Sequence, residues 1–247
     1  MKNMKDKVVV VTGAAGGLGK AFAKAFSEAG AKVAVCDKNM KGAIETAQEL
    51  DNAFAVEVDI TNEASVQQMT KIITDQLGTI DVLVNNAAVY AGLERKPFYE
   101  ITEKEWDLVM NVNVKGLWMV CKAVAPVMME KNAGKIVNIA SATFMSGSPN
   151  WSHYVASKGS VIGFTRSAAK ELGDFNINVN AIAPGFTLTQ ASLDLMDNAK
   201  EYGVNRGAIK RPSSAEDIVG TALYLASAQA DFVTGQTIVV DGGKQFI

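Results

Sequence analysis

Seven short apolar runs, most of them rich in Val and Ile, recur along the 247-residue chain with longer, helix-patterned stretches between them. Each run is long enough for a buried strand and too short for a helix. The runs predict strands at 8–11, 32–36, 54–58, 82–84, 136–139, 177–182 and 237–240. Because such strands are buried on both faces, the alternation predicts an α/β fold. We expect one doubly wound domain over residues 1–247, with a roughly seven-stranded parallel sheet and helices on both faces.

Helix starts and ends are visible at several places in the sequence. Apolar residues at helical spacing predict a helix from Gly17 to Gly30, and capping-box patterns at Thr102–Glu105 and Ser213–Glu216 predict two further starts. The stretch 187–211, between the sixth and seventh strands, resists a strand assignment. We expect a loop-helix lid over a ligand there, with an irregular surface excursion as the alternative.

Charge and composition narrow the class of partner. With 24 basic and 26 acidic residues the net charge is −2, so there is no electrostatic footprint for nucleic acid or an anionic membrane. A small-molecule substrate is expected instead. The N-terminus is charged and no long uncharged apolar run follows it, so we expect a cytoplasmic protein. Cys36 and Cys121 stand among apolar neighbours and are expected to be buried thiols; with a single His, a metal site is not expected.

A glycine-rich turn follows the first strand. Its spacing, Gly13-xxx-Gly17-x-Gly19, differs from the general dinucleotide fingerprint. Glycines at this point let the backbone approach a pyrophosphate, whose charge the next helix N-terminus favours. The alternative is a tight β-to-α turn without a ligand.

The second strand ends at Asp37, about where an acidic residue receives the adenosine ribose hydroxyls. A carboxylate there would repel the 2′-phosphate of NADP, which neighbouring Lys38 could offset in part. We therefore predict NAD as the cofactor, with a strand-ending turn as the alternative role of Asp37.

Tyr154 and Lys158 are one helical turn apart, so they share a helix face. A cation near the phenol, joined by the positive charge of an oxidised nicotinamide, is expected to lower the tyrosine pKa and make Tyr154 an acid/base. This spacing also arises by chance. Ser141, at the carboxyl end of the fifth strand, strengthens the catalytic interpretation because its hydroxyl could bind a substrate oxygen; a cap or turn is the alternative.

This ordered set of motifs resembles the short-chain dehydrogenase/reductase family over almost the whole chain. The motifs are TGAAGGLG at Thr12–Gly19, Asp37, Asp59, NNAA at Asn85–Ala88, NVNVKG at Asn111–Gly116, Ser141, YVASK at Tyr154–Lys158, NAIAPGFTLT at Asn180–Thr189 and VTGQTIVVDGG at Val233–Gly243. The resemblance implies a Rossmann-type dinucleotide-binding and catalytic domain that needs no metal.

The resemblance also implies roles for individual residues. Tyr154 resembles the family's general acid/base, Ser141 its substrate-orienting hydroxyl, and Lys158 the residue that tunes Tyr154 and holds the nicotinamide ribose. Asn113 resembles an Asn that anchors a proton-relay water. The cofactor-binding set is Gly13, Gly17, Leu18, Gly19, Asp37, Asp59, Ile60, Asn86, Ala87, Tyr154, Lys158, Pro184, Gly185, Thr187 and Thr189.

Two positions depart from the family pattern. Ala88 replaces a usual Gly, which is tolerable unless the backbone there needs a positive φ. Asn178 stands where many members carry Arg, and a change in local packing is expected.

Four further residues lie near Tyr154 in the sequence. His153 should point away from the face that Tyr154 shares with Lys158, so we expect it at the surface or the pocket rim. Trp151, Phe144 and Met145 either build an aromatic pocket or pack their loop against the domain.

Three functions remain open from the sequence. The leading hypothesis is an NAD(H)-dependent oxidoreductase that interconverts a secondary, cyclic or aromatic alcohol and its carbonyl compound. An NADPH-dependent 3-oxoacyl carrier-protein reductase shares the motifs, but Asp37 counts against it. A non-catalytic dinucleotide-sensing regulator would not need the set Asn113, Ser141, Tyr154 and Lys158. By resemblance, the helices containing Asn113–Lys131 and Tyr154–Gly173 pair between subunits, which predicts a homotetramer, with a dimer as the alternative.

Overall fold

The computed structural model describes residues 4–90, 92–195 and 198–246. Its centre is a sheet of seven parallel strands in the order β3-β2-β1-β4-β5-β6-β7. The strands are β1 (Val8–Thr12), β2 (Lys32–Asp37), β3 (Ala53–Glu57), β4 (Val82–Asn85), β5 (Gly134–Ile139), β6 (Ile177–Pro184) and β7 (Thr237–Val240). Each lies within two residues of its predicted position, so the predicted fold class is confirmed.

Successive side chains of each strand enter two different cores, one on each face of the sheet. In β1, Val8 and Val10 pack in the first core and Val9 and Val11 in the second. All four are 2% exposed or less. Because both faces are covered, most positions of the strands are apolar, which is why they appear as short apolar runs in the sequence.

Helices cover both faces. They are α1 (Gly17–Glu28), α2 (Met40–Gln48), α3 (Glu63–Leu77), α4 (Glu103–Met110), α5 (Leu117–Lys131), α6 (Thr143–Ser146), α7 (Ser152–Leu172), α8 (Gln190–Leu195) and α9 (Glu216–Ala226). Short 3₁₀ turns lie at Phe98–Glu100, Gly173–Phe175, Val204–Arg206 and Ala228–Ala230. Helices α3, α5 and α7 contribute to the first core, and α1, α2 and α9 to the second.

One predicted capping box is confirmed and the other is wrong. Thr102 and Glu105 cap α4 reciprocally. At α9 the N-cap is Ala215, without a side-chain cap. There, Asp217 accepts the backbone N–H of Ser214 at 2.9 Å and pairs with Arg211. The carboxylate that caps this turn is therefore that of Asp217, one residue after the predicted Glu216.

Helices α4 and α5 are joined by a π-helical turn, Asn111–Gly116. By length and composition alone, the continuous stretch Glu103–Lys131 is long and apolar enough to cross a membrane. Its residues Val120, Val124 and Met128 are fully buried in the first core, so its apolar character is that of a core helix.

The two cysteines are free and buried, as expected. Burial raises the pKa of both thiols, that of Cys121 to about 12. Neither thiol has the character of a nucleophile.

The strand order reverses between β1 and β4, because the chain runs outward through β2 and β3 before it returns to β4. In open parallel sheets, ligands bind outside the carboxyl ends of the strands at such a switch point. The glycine turn after β1 and the NNAA segment after β4 meet there, which places the predicted site.

Candidate active site

A cleft of about 760 Å³ opens along the carboxyl ends of the strands. It extends past the switch point, from the end of β2 on one side to the loops after β6 and β7 on the other. Of the predicted site residues, the following line it: Gly13, Gly17, Leu18, Asp37, Asp59, Ile60, Asn86, Ala87, Ser141, Tyr154, Lys158, Pro184, Gly185, Thr187 and Thr189. Gly19 and Asn113 lie behind the lining. The structure therefore brings together residues that are far apart in the sequence.

The glycine turn needs glycine for two different reasons. Gly13 and Gly17 have φ angles of +65° and +55°, which other residues rarely adopt. Gly19 is helical, but a Cβ there would overlap the carbonyl oxygen of Gly13. Gly19 thus acts through close packing of helix α1 on the turn and not through contact with the cleft.

The N-terminus of α1 suits an anion. Its N-cap, Gly16, has no side-chain cap, and the first turn of the helix carries no acidic residue. Apart from its chain neighbours, no atom of the described residues lies within 4 Å of a Cβ placed on Gly16. Free N–H groups, a positive dipole end and open space fit the pyrophosphate of a dinucleotide.

Asn86 connects the glycine turn to the loop after β4 by hydrogen bonds. Its side-chain amide donates to the carbonyl oxygens of Thr12 and Gly13, each at 3.0 Å. The hydroxyl of Thr12 accepts the N–H groups of Asn86 and Ala87 in return. Asn86 therefore holds the glycine turn against the β4 loop, in addition to lining the cleft.

Asp37 is held rigidly at the other end of the glycine turn. One carboxylate oxygen accepts the N–H of Ala15 and the other the N–H of Asn39, both at 2.9 Å. The position fits the ribose of an adenosine, and the fixed carboxylate faces the cleft.

Lys38 does not neutralise Asp37. Its ammonium pairs with Asp59 at 2.9 Å. Hydrogen bonds from Thr61, and then from Lys38, lower the pKa of Asp59 to about 2. The adenosine end of the cleft thus has two carboxylates and one ammonium, which is already paired.

The opposite end contains the predicted acid/base. Tyr154 is 6% exposed, and its ring packs against Trp151 at 4.7 Å and Tyr90 at 5.8 Å between centroids. The Ser141 hydroxyl lies near the Tyr154 phenol and acts to lower its pKa. Helix α7 and the carboxyl end of β5 therefore bring the two hydroxyls together, as the sequence predicts.

The protein groups raise the pKa of Tyr154, which is opposite to the direction expected from Lys158. Burial is the main cause, and Tyr90 raises the pKa of Tyr154 further, whereas the Ser141 hydroxyl lowers it. The Lys158 ammonium lies 5.7 Å from the Tyr154 ring centre and donates to the carbonyl oxygen of Ile139 at 2.8 Å. Burial lowers the pKa of Lys158 to about 8. Tyr154 is consequently a protonated phenol at neutral pH.

Asn113 sits in the π-helical turn and is 1% exposed. Its amide oxygen accepts the N–H of Val89 at 2.7 Å, and its amide nitrogen donates to the Val89 carbonyl and the Ser157 hydroxyl. Asn113 thus fastens the loop after β4 to helix α7. The proton-relay role stays a prediction.

The residues beside Tyr154 separate into different roles. His153 is 2% exposed and lies outside the cleft lining, so the expected surface or rim position is wrong. Its pKa is lowered by burial. Trp151 lines the cleft, whereas Phe144 covers Gly159 and Met145 packs on the first core.

Both departures from the family pattern are accommodated. Ala88 is not among the positions with a positive φ, so its methyl is tolerated. Asn178 donates to the carbonyl oxygens of Asp231 and Val233 and accepts from Lys135. It packs the loop before β7 against β6.

Sequence reasoning missed several residues of the cleft. The end of the cleft that contains Tyr154, which we call the substrate end, is also lined by four residues outside the motifs: Tyr90, Arg95, Tyr202 and Lys244. Tyr202 lies in the stretch predicted as a lid, as do the lining residues Thr187, Thr189 and Arg206. Residues 196 and 197 of that stretch lie outside the described residues, and the closing motion of a lid stays a prediction.

Proteins of similar sequence match this chain over nearly its whole length. Residues 13–245 match the model of a family described as enoyl-(acyl carrier protein) reductase. A 3-oxoacyl-[acyl-carrier-protein] reductase from Thermotoga maritima is 37% identical over 97% of this chain and 98% of its own length.

Two solved structures share the fold. One from Brucella melitensis 16M, named ribose-5-phosphate isomerase, has a TM-score of 0.91 and 33% identity, and covers 98% of this chain and 93% of its own. A levodione reductase has a TM-score of 0.90 and 31% identity, with 98% of each chain covered. These different names show that the fold alone does not select the substrate.

The fold and the site define an oxidoreductase built on a nicotinamide-dinucleotide cleft. The chain belongs to the short-chain dehydrogenase/reductase family.

The leading hypothesis from the sequence, an NAD(H)-dependent oxidoreductase for secondary, cyclic or aromatic alcohols, is wrong. Relatives at 37% identity over nearly the full length are named 3-oxoacyl-[acyl-carrier-protein] reductases, which favours the alternative. The motifs behind the first hypothesis indicate a dinucleotide-binding cleft and an acid/base residue. Cleft residues such as Tyr90, Arg95 and Tyr202 lie outside those motifs, so the motifs do not separate the two reactions.

Proposed function

We propose that this protein reduces the 3-oxo group of an acyl thioester to a 3-hydroxyl group, with NADH as the electron donor. The observation that carries this proposal is the identity of 37%, over nearly the full length, with 3-oxoacyl-[acyl-carrier-protein] reductases. The phenol of Tyr154, whose pKa is raised by burial, lies beside Ser141 in the cleft. A phenol that holds its proton at neutral pH is suited to give that proton to a developing alkoxide.

Each polar group at this end of the cleft has a place in the proposed reaction. A reduced nicotinamide, when bound, supplies the hydride that adds to the carbonyl carbon. Ser141 and Tyr154 donate hydrogen bonds to the carbonyl oxygen, where negative charge develops. Tyr154 then transfers its proton to that oxygen, which leaves a phenolate on the protein and a hydroxyl on the product. The Lys158 ammonium stabilises the phenolate until a proton from solvent restores it.

The reaction is tested with the purified full chain, NADH and acetoacetyl-coenzyme A, followed by NADH absorbance. We expect turnover of the thioester, with 3-hydroxybutyryl-coenzyme A as product. Simple ketones of similar size provide the comparison. Turnover of those ketones with none of the thioester would overturn the proposed substrate class.

A pH profile tests the role of Lys158. Burial lowers its pKa to about 8, so the ammonium is present below that pH and is lost as the pH rises through it. We expect the rate of thioester reduction to fall over the same range, because the neutral amine no longer stabilises the Tyr154 phenolate. Initial rates of reduction from about pH 6.5 to about pH 9.5 measure this. A profile that rises across this range would contradict the assignment.

The proposal of NADH follows from the charges at the adenosine end. Asp37 is fixed by two backbone N–H groups, and Asp59 stays ionised because its pKa is lowered to about 2. The nearby Lys38 ammonium is paired with Asp59. A 2′-phosphate would therefore enter a region of net negative charge, whereas ribose hydroxyls can donate hydrogen bonds to Asp37.

The variant Asp37→Asn tests this preference with little change of shape. It keeps an oxygen acceptor and removes the charge that repels a 2′-phosphate. We expect the preference for NADH over NADPH, as a ratio of kcat/KM values, to fall by about tenfold or more. Lys38→Met, which changes a side chain engaged by Asp59, should shift the ratio less. A wild-type protein that prefers NADPH would contradict the role of Asp37.

Self-association is also proposed. Trp106 and Trp118, on α4 and α5, are 40% and 43% exposed, and aromatic side chains are enriched at protein–protein interfaces. They support the homotetramer that the resemblance implies, and the mass in solution tests it.

A further inference from the structure

An arginine that the proposed reaction does not use lies at the substrate end of the cleft. The Arg95 guanidinium lies 4.5 Å from the centre of the Trp151 ring and 5.9 Å from that of Tyr202. Its Nε is buried and has no hydrogen-bond partner among the described residues. A guanidinium that lines the cleft without an acceptor from the described residues is suited to a ligand with acceptor oxygens.

The charge around Arg95 is positive. Arg206 and Lys244 line the same end of the cleft, and the Lys244 ammonium lies 5.3 Å from the Tyr202 ring centre. In the described part of the chain, the acidic residues of the lining are Asp37 and Asp59, at the adenosine end. The neighbouring Lys96 is paired with Glu94 and Glu105, whereas the ion pairs of the described residues do not include Arg95. This end of the cleft is therefore suited to an anion.

An anion bound to Arg95 would lie close to the reacting carbon. Trp151 separates Arg95 from Tyr154, with steps of 4.5 Å from the guanidinium to the Trp151 ring and 4.7 Å from that ring to the Tyr154 ring. The phosphate of a pantetheine arm is more than a dozen bonds from the 3-oxo carbon, far beyond this span when extended. A negative group within a few bonds of the carbonyl fits the distance.

We propose that Arg95 binds a carboxylate of the substrate itself, a few bonds from the carbonyl that Tyr154 protonates. This inference rests on the proposed reduction of a 3-oxo group. Two substrates share this chemistry: a 3-oxoacyl thioester whose chain ends in a carboxylate, and a free 3-oxo acid. The planar guanidinium suits a two-oxygen acceptor, and the aromatic walls from Tyr90, Trp151 and Tyr202 strengthen the pair by excluding water.

The test compares Arg95→Met with Lys96→Met in the full-length protein. Lys96 is the next residue in the same loop, but it does not line the cleft and is paired with glutamates. Three substrates are assayed with NADH: 3-oxoadipyl-coenzyme A, acetoacetate, and acetoacetyl-coenzyme A, whose acyl chain carries no charge. Dinucleotide binding, followed by NADH fluorescence, controls for folding of each variant.

For each carboxylate-bearing substrate that the protein reduces, 3-oxoadipyl-coenzyme A or acetoacetate, we expect Arg95→Met to raise KM at least about tenfold. KM for acetoacetyl-coenzyme A should change less than about threefold, and kcat little for either. Arg95→Lys should recover part of the loss, because it restores the charge without the fork of donors. Lys96→Met should leave all three substrates nearly unchanged.

The outcomes separate the two proposals. If Arg95→Met raised KM equally for all three substrates, or for none of them, the role of Arg95 would be overturned while thioester reduction would stand. Arg95-dependent reduction of acetoacetate with no reduction of either thioester would overturn the proposed thioester substrate and support the carboxylate contact. Arg95-dependent reduction of 3-oxoadipyl-coenzyme A would support both proposals and identify the chain-end carboxylate as the source.

Discussion

Replacing Tyr154 by Phe is expected to lower the rate of thioester reduction by about 10² to 10⁴-fold, the usual contribution of a positioned general acid. The substitution removes one hydroxyl and keeps the ring. The packing of that ring between Trp151 and Tyr90 at 4.7 and 5.8 Å is therefore retained. The loss should appear in kcat, because the missing proton is needed in the transition state.

Dinucleotide binding separates a chemical defect from a structural one. In Tyr154→Phe the cleft keeps its glycine turn, Asp37 and Lys158, so NADH affinity by fluorescence should change little. Tyr90→Phe is the matched control, since it removes a second phenol from the same aromatic group; its effect on kcat should be below about tenfold. If Tyr154→Phe retained the rate of the unchanged protein, Tyr154 would not be the acid.

The fold was predictable from the sequence because the physical signal is strong and local. Strands covered on both faces are apolar at most positions, as in Val8–Thr12, where four valines and a threonine are all buried. The spacing between such strands accommodates helices, and parallel pairing follows. Boundaries were less certain: β6 extends to Pro184, two residues beyond its apolar run, because pairing with β7 continues there.

Features decided by tertiary contacts were not predictable. The pattern Ser213–Glu216 resembles a capping box, but Asp217 takes the N–H of Ser214 while it also pairs with Arg211. The pKa of Tyr154 is set by the depth of its burial, which the spacing to Lys158 does not report. Motif residues were found because their chemistry requires fixed residue types; Arg95 and Tyr202 were missed because a substrate pocket has no fixed spacing in sequence.

Gly13→Ala is expected to have the second large effect, on both stability and dinucleotide binding. A Cβ at Gly13 would lie 2.7 Å from the Cα and 3.0 Å from the backbone nitrogen of Ala87. These are backbone atoms at the switch point of the sheet and cannot turn aside as a side chain would. The φ of +65° adds strain for any residue with a Cβ. Together the two costs should destabilise the fold by about 2 kcal/mol or more.

The substitution also acts on the cleft, because the chain can relieve the overlap only by moving the glycine turn away from the β4 loop. That movement would break the hydrogen bonds from the Asn86 amide to Thr12 and Gly13 and displace the N–H groups at the start of α1. We therefore expect a lower midpoint of chemical denaturation and NADH affinity weakened at least about tenfold. Gly220→Ala is the control: Gly220 lies within α9, and beyond its chain neighbours and the backbone of its own helix no atom of the described residues lies within 4 Å of the added Cβ. The substitution should therefore stabilise the helix slightly and leave binding unchanged. Equal behaviour of the two variants would show that the turn tolerates a side chain and that its glycines are not required by geometry.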